Sequence, residues 1–491
     1  MYWKSLMYKS IRILPVVLAL SLTGCNVGPH YKRPDVTLPQ QFTAPSIDQS
    51  RNQPPGADAG DAEFWHSFQD AELSALVDQA LKANNDLRAG VSHYDSSNAL
   101  LRAAKFDRYP TVTMSAQGGR QDIGTSQAYG YSPVSRYFSA GMNASWELDF
   151  WGRVRHNIGA QRELAAASAS DLAALQVTIV GDVATAYVDL RGQQERLRIA
   201  HENVENERDT VQLVEARLAA GRGTDFDVAR ARAQLESTQA LIPTLLTSIA
   251  VDEHRLAVLC GRTPDALVAE LDPAKPLPAL PLGIDPGTPA DLVRRRPDIA
   301  AAEQRLHAAT EQIGVATADL FPRLSFSGMF GGYGSRSGTP FDSISPASLV
   351  ALGIDWSFLD VGRVRARLDA TRADSSAQLA QYQQTVLLAL EDVENSLVTY
   401  SRAQDRTIEL EHATQDSKAA TKLARVRYTD GATGLLDLLD AQREQLQAEE
   451  SLAESRSGSG IAAVSLYRAL AGGWPQRLPP NVAANTNAQK H

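Results

Sequence analysis

The chain has 491 residues, a formal net charge of −9 and two cysteines, Cys25 and Cys260. An acidic balance argues against a nucleic-acid partner, which wants a basic face. Two cysteines, one of them at the head of the processed chain, leave no room for a disulfide framework.

Lys4, Lys9 and Arg12 precede a short apolar run, Ile13 to Leu22, which ends in Leu22-Thr23-Gly24-Cys25. The run is too short to span a bilayer and reads as a secretory signal over 1–24. Its last four residues fit the bacterial lipobox, so Cys25 is the expected lipidation site and first residue of the mature chain. Losing the three signal cations leaves a charge of about −12. Asn26, not Asp, follows the cysteine, which points to the outer membrane. A lipidated Cys25 anchors the chain without inserting it. Residues 25–62 are proline-rich and are expected to run extended from the anchor.

The chain then contains itself twice. Gly152-Arg153-Val154-Arg155 returns as Gly362-Arg363-Val364-Arg365, and Trp146 as Trp356. Val180, Val183, Tyr187 and Leu190 return as Leu390, Val393, Leu397 and Tyr400. Arg217, Gly221 and Asp227 return as Arg427, Gly431 and Asp437. All these offsets are 210, and ordered recurrence of Gly and Trp marks a true repeat. The predicted repeats are 63–263 and 298–473, joined by a linker over 264–297 that carries eight prolines.

Each repeat has one grammar. A helix, about 84–108 in the first, ends ahead of Tyr109-Pro110 or Phe321-Pro322, because proline pushes its predecessor out of helical space. Alternation follows: Val112, Met114 and Ala116 against Thr111, Thr113 and Ser115, and Leu324, Phe326 and Gly328 against Ser325 and Ser327. Period two predicts strands, about 111–146 and 323–358, each pair split by a Gly/Ser/Tyr-rich loop. Residues 363–430 then hold neither Gly nor Pro, and 153–220 hold no Pro. At about 1.5 Å per residue each helix reaches roughly 100 Å. Leu379, Tyr382, Val386, Leu390, Val393, Leu397 and Tyr400 step by three and four, a coiled-coil seam. Gly221 and Gly431 supply left-handed caps for helical hairpins. Returning helices are predicted over 224–259 and 435–470, so the hairpins span 153–259 and 363–470. The tail 474–491 is predicted disordered.

After the signal no run of 18 apolar residues exists, so a membrane crossing falls to the strands. Four strands cannot close a barrel, and open edges are not tolerated in lipid. Three copies give twelve strands, an even number within the known range. The expected architecture is mainly α, with a homotrimeric 12-stranded β-barrel continuous with a long helical barrel.

With these features the chain resembles the TolC-like outer-membrane factors, in the lipoprotein (NodT-type) branch serving resistance-nodulation-division pumps. The resemblance covers nearly the whole chain. It is carried by Arg294-Arg295-Arg296-Pro297-Asp298-Ile299 with Ala301-Ala302-Glu303, by Leu320-Phe321-Pro322, and by Arg427-Tyr428 through Gly431 to Leu438-Leu439-Asp440-Ala441-Gln442-Arg443. The entry residues Trp65, Phe68, Asp70, Leu73, Leu76, Asn84 and Asp86-Leu87 match as well. The resemblance implies a homotrimer that passively conducts drugs or other small toxic compounds, met in the periplasm by an adaptor and an inner-membrane pump. Export of proteins through the same kind of duct, or a pore-free coiled-coil scaffold lipoprotein, are the alternatives. The alternating strands oppose the second.

No catalytic motif is present: there is no GxxxxGK, no HExxH, and the nine histidines lack ligand spacing, so no enzyme, cofactor or metal is expected. Asp437 and Asp440 lie one helical turn apart after the second hairpin, so one face can carry both toward an axis. Acidic rings attract cations and tune passage through pores. The resemblance places Leu436 with them in a periplasmic gate. It makes Arg427, Tyr428 and Asp227 links between hairpins, with a Tyr428–Asp227 hydrogen bond in prospect. The tips at Gly221 and Gly431 are the expected adaptor contacts. Cys260, among apolar neighbours, reads as buried filler. Trp146, Trp151, Trp356, Tyr129, Tyr131 and Tyr137 suit interfacial belts or strand–helix packing.

Overall fold

The computed structural model describes residues 26–43, 64–122, 134–280, 284–334 and 345–470. The expected signal 1–24, Cys25, the tail 474–491, Tyr129 and Tyr131 lie outside the described residues. In chain order the elements are α1 Ala71–Ala83, α2 Asn85–Phe106, β1 Thr111–Asp122, β2 Val134–Leu148, α3 Arg153–Ala219, α4 Asp225–Gln239 and α5 Leu241–Leu259. Then follow α6 Val268–Leu271, α7 Pro289–Arg295, α8 Pro297–Ala318, β3 Arg323–Gly334, β4 Ser345–Asp355, α9 Val361–Thr429 and α10 Leu435–Ala469. The described residues fall into two compact units: 26–35, 94–122, 134–169, 301–334 and 345–383 in one, and 36–43, 64–93, 170–280, 284–300 and 384–470 in the other.

The first unit holds one antiparallel sheet in the order β1-β2-β3-β4. Its register explains the alternation. Met114 pairs with Met142 and Met142 with Phe330, while Trp146 pairs with Phe326 and Phe326 with Leu352. One face therefore collects Val112, Met114, Ala144, Trp146, Phe326, Phe330, Val350, Leu352 and Ile354. Most of these large side chains are exposed in the single chain. The other face carries Thr111, Thr113, Ser115, Asn143, Ser145, Ser325 and Ser327, with Met329 and Leu349 as its large apolar exceptions. An apolar face turned outward is what lipid requires and water penalises. Within the chain β1 and β4 are both edges, each with a row of backbone groups to satisfy.

Indole N–H groups fasten the strand bases. Trp146 donates to the Arg108 carbonyl (3.0 Å) and its repeat mate Trp356 to that of Leu320 (3.1 Å). Trp151 donates to the Pro322 carbonyl (2.9 Å) and stacks on Phe321. Trp146, Trp151 and Trp356 thus serve strand-base packing. At the β2–α3 corner Asp149 accepts from the amides of Val154 and Arg155 (3.1 and 3.0 Å), capping the long helix. Residues 26–43 form no helix or strand. Val27 meets this corner through the Trp151 carbonyl (3.2 Å), and its own carbonyl accepts from buried His156 (3.1 Å).

The second unit is helical. In its part of α9 the seam residues Val386, Val393, Leu397 and Tyr400 are buried as their spacing predicts and Leu390 is half-buried; in the part of α9 that falls in the first unit Tyr382 is buried and Leu379 half-buried. The return helix predicted as continuous over 224–259 is broken at Ala240. Pro243 has no N–H for the Gln239 carbonyl, and a new helix beginning at Leu241 puts that proline in its first turn, where the donor is not needed. One described helix, α3, contains an 18-residue window of mean hydropathy 1.4, apolar enough by composition to cross a membrane. Its apolar residues Val180, Val183, Ala184, Tyr187 and Leu190 are instead buried in protein.

The proline-rich linker is tied to the helices by a buried cation. Arg191 is 0% exposed and pairs with Glu72. It also donates to Gln194 (2.6 Å) and to the carbonyls of Leu271 (3.2 Å) and Pro273 (3.0 Å). Lys275 reaches Glu72 at 3.0 Å, and Tyr187 donates to Asp70 and Glu72 at 2.9 Å each. Cys260 is fully buried, as expected, and burial pushes its thiol up to about 11.

Candidate gate at the helical-hairpin tips

The two hairpin turns are the same object, 210 residues apart. Gly221 and Gly431 both hold positive φ, +72° and +77°, which a side chain at either position would strain. The Gly221 amide donates to Leu218 (2.9 Å) and that of Arg222 to Arg217 (2.8 Å). In the second turn Gly431 donates to Tyr428 (3.1 Å) and Ala432 to Arg427 (2.8 Å), a Schellman-type closure in both. The caps of the returning helices differ. Thr224 and Asp227 form a reciprocal capping box, with the Asp227 carboxylate accepting from the Thr224 amide (2.9 Å) and hydroxyl (2.8 Å). Gly434 caps α10 without a side-chain bond.

Between the hairpins lies an apolar knot: Val211, Val214, Val228, Ala231, Tyr428, Leu435, Leu438 and Leu439. Tyr428, 5% exposed, is part of this core. The Arg217 guanidinium stacks over its ring at 4.2 Å and donates to the carbonyls of Tyr428 (2.6 Å) and Thr429 (3.1 Å). Within one chain, then, the Asp227 carboxylate serves its own cap and Tyr428 is gripped by Arg217, so the expected Tyr428–Asp227 bond is replaced by these two. Arg427 is exposed, one position round the helix from Tyr428.

Leu436 and Asp437 are exposed at the start of α10, on the side away from Leu435, Leu438 and Leu439. Asp440, half-buried, pairs with Arg443 on its own helix (2.5 Å). The three predicted gate residues thus share the open side of one helix end, and Asp437 has no ion-pair partner among the described residues. Sequence reasoning passed over three joints. Arg217 is the first; the others are Arg425 to Asp209 (3.2 Å) and Gln442 to Thr210 (2.9 Å). The repeat offset could have raised Arg217, as the mate of Arg427.

Above the knot the interior turns polar. Asn203 donates to Glu449 (2.8 Å), which Lys418 also meets (3.0 Å). Burial pushes the Glu207 carboxyl above its ordinary range, with bonds from Thr238 and Gln234 only partly opposing it. Among the described residues no cluster of three or more His, Cys, Asp or Glu could hold a metal ion. What the tips offer is a charged rim on an apolar knot.

The sequence profile of the outer membrane efflux protein family matches residues 76–262 and 288–472. The chain is 32% identical over 450 residues to nodulation protein T of Rhizobium leguminosarum bv. trifolii, covering 89% of this chain and 92% of that protein. It is 32% identical over 472 residues to outer membrane protein OprJ of Pseudomonas aeruginosa, covering 94% and 95%. The solved outer-membrane channel OprN superposes with a TM-score of 0.82 at 38% identity, covering 92% of this chain and 100% of that one.

Proposed function

The chain belongs to the outer membrane efflux protein family, and from that premise we propose how its parts make a gated conduit. It is an outer-membrane efflux channel, a transport protein and not an enzyme. Three copies close the four-stranded sheets into one twelve-stranded barrel, and the long helices continue it toward the periplasm. The observation that carries this reading is the sheet itself: one face apolar and exposed, the other mostly small and polar, both edges open. Closure satisfies the edges, puts the apolar face in lipid and leaves a polar lumen. Native mass measurement in detergent should count three chains; a stable single chain that fails to conduct in bilayers would defeat it.

In the assembly Leu436, Asp437 and Asp440 form the periplasmic gate, and Arg427, Tyr428 and Asp227 belong to the joints that hold hairpins together. The tips at Gly221 and Gly431 meet a periplasmic adaptor, and through it a resistance-nodulation-division pump supplies the energy. The cargo is drugs or other small toxic compounds. The lipobox further supports a lipid on Cys25. Mass spectrometry of the mature N-terminus should find Cys25 first and acylated, and an unmodified residue elsewhere in that place would end the idea.

A further inference from the structure

In the assembly each chain contributes two hairpins, so joints within a chain must alternate with joints between chains. The intrachain joint is visible in full. It consists of the Arg217 grip on the carbonyls of Tyr428 and Thr429, its stacking on the Tyr428 ring, the Arg425–Asp209 ion pair and the Gln442–Thr210 hydrogen bond. Because the two turns superpose in hydrogen bonding at an offset of 210, that joint is a template for the other. Moving Arg217 on by one repeat gives Arg427. Moving its acceptors on by one repeat carries them out of the chain, to Leu218 and Ala219 of a second copy.

The remaining contacts do not carry over. The ring of Tyr428 becomes the side chain of Leu218. Arg425 and Asp209 become Glu215 and Ala419, and Gln442 and Thr210 become Arg232 and Ala420. Glu215 and Arg232 are already paired with each other within their own hairpin (2.5 Å). The Arg427 guanidinium has no hydrogen-bond or ion-pair partner among the described residues of its own chain, although it sits where Arg217 sits on the first hairpin.

We infer that Arg427 closes the joint between chains by donating to the C-terminal carbonyls of α3, Leu218 and Ala219, in a second copy, and that this joint is the weaker one at which the hairpins part when the channel opens. The inference rests on the trimeric reading and names the partner of its link residue. The acceptor is a helix end, whose carbonyls carry negative partial charge and favour a cation, so no acidic side chain is needed. One grip without the stacking, the ion pair or the side-chain hydrogen bond holds less than the intrachain set.

Full-length protein with Leu218→Cys and Arg427→Cys, treated with a short bifunctional thiol reagent, should give multi-chain species on denaturing gels. The control pair Asp209→Cys and Arg425→Cys should cross-link within single chains. In planar bilayers Arg427→Gln should raise resting conductance severalfold, and Arg425→Gln should raise it less. Glu215→Arg with Ala419→Asp installs the missing ion pair between chains and should lower resting conductance. Cross-links confined to single chains, in a sample whose native mass still counts three chains, overturn the joint and leave the trimer standing. A native mass of one chain removes the trimer and the joint together. An Arg427→Gln channel as tight as the parent overturns the weak-joint assignment even if the cross-link forms.

Discussion

Arg191→Ala should cost about 3–5 kcal/mol of folding stability, because it strips one partner from a buried ionic network and leaves the others in place. The groups left behind are the Glu72 carboxylate, the Gln194 amide oxygen and the carbonyls of Leu271 and Pro273. Lys275 keeps Glu72 partly compensated, which favours the lower end of that range. Arg191→Lys should recover little, since one ammonium cannot reach four acceptors set out for a planar fork. The loss should have a pH signature. Burial alone would raise Glu72, but the bonds from Lys275, Tyr187 and Arg191 more than reverse it and hold the carboxyl below its ordinary 4.5. A depressed carboxylate stabilises the fold above its unfolded pKa and loses that contribution as pH falls through the folded value. The parent should therefore lose this contribution progressively as pH falls from the ordinary 4.5 through the lower folded value, whereas Arg191→Ala, with Glu72 less depressed, should show a shallower loss over the same acid range. Chemical unfolding of detergent-solubilised protein across pH 3–7 checks both. A variant within 1 kcal/mol of the parent at pH 7 would show that the linker is held without this cation.

The strands were legible in the sequence because one side in lipid and one in water is a period-two demand, and Val112, Met114, Phe326 and Leu352 answer it directly. The hairpins were legible because Gly221 and Gly431 sit where only glycine is comfortable. The Arg191 site was not. A single arginine inside an α3 seam of Val180, Val183, Tyr187 and Leu190 looks like a surface residue until the linker is folded over it, and its acceptors lie some 80 residues away. The joint contacts were half legible. The repeat could have raised Arg217 as the mate of Arg427, and Asp227 fits both a link and the third residue of a capping box, of which the placed Thr224 shows the box within one chain. Pro243 was a visible helix breaker in a stretch whose hydrophobic pattern ran straight through it.

The gate yields the sharpest functional test. If Asp437 and Asp440 of three chains face the axis, six carboxylates surround the path. They are not equal: Asp440 is partnered by Arg443 at 2.5 Å, so Asp437 supplies most of the unbalanced charge. A trivalent cation applied from the periplasmic side should bind there and block current. A carboxylate about 4 Å from a unit charge contributes roughly 1 kcal/mol in water and more in a narrow pore. Removing the set should therefore raise the blocking concentration at least about a hundredfold, each ~1.4 kcal/mol being tenfold. Asp437→Ala alone should account for most of that change and Asp440→Ala for little. Arg443→Ala should act in the opposite sense, tightening the block by freeing Asp440. Resting conductance separates this chemistry from the joints: the Asp437→Ala, Asp440→Ala channel should lose cation block without the leak expected of Arg427→Gln. If the double variant is blocked as strongly as the parent, these carboxylates do not line the constriction, and the open side of α10 faces something other than the pore.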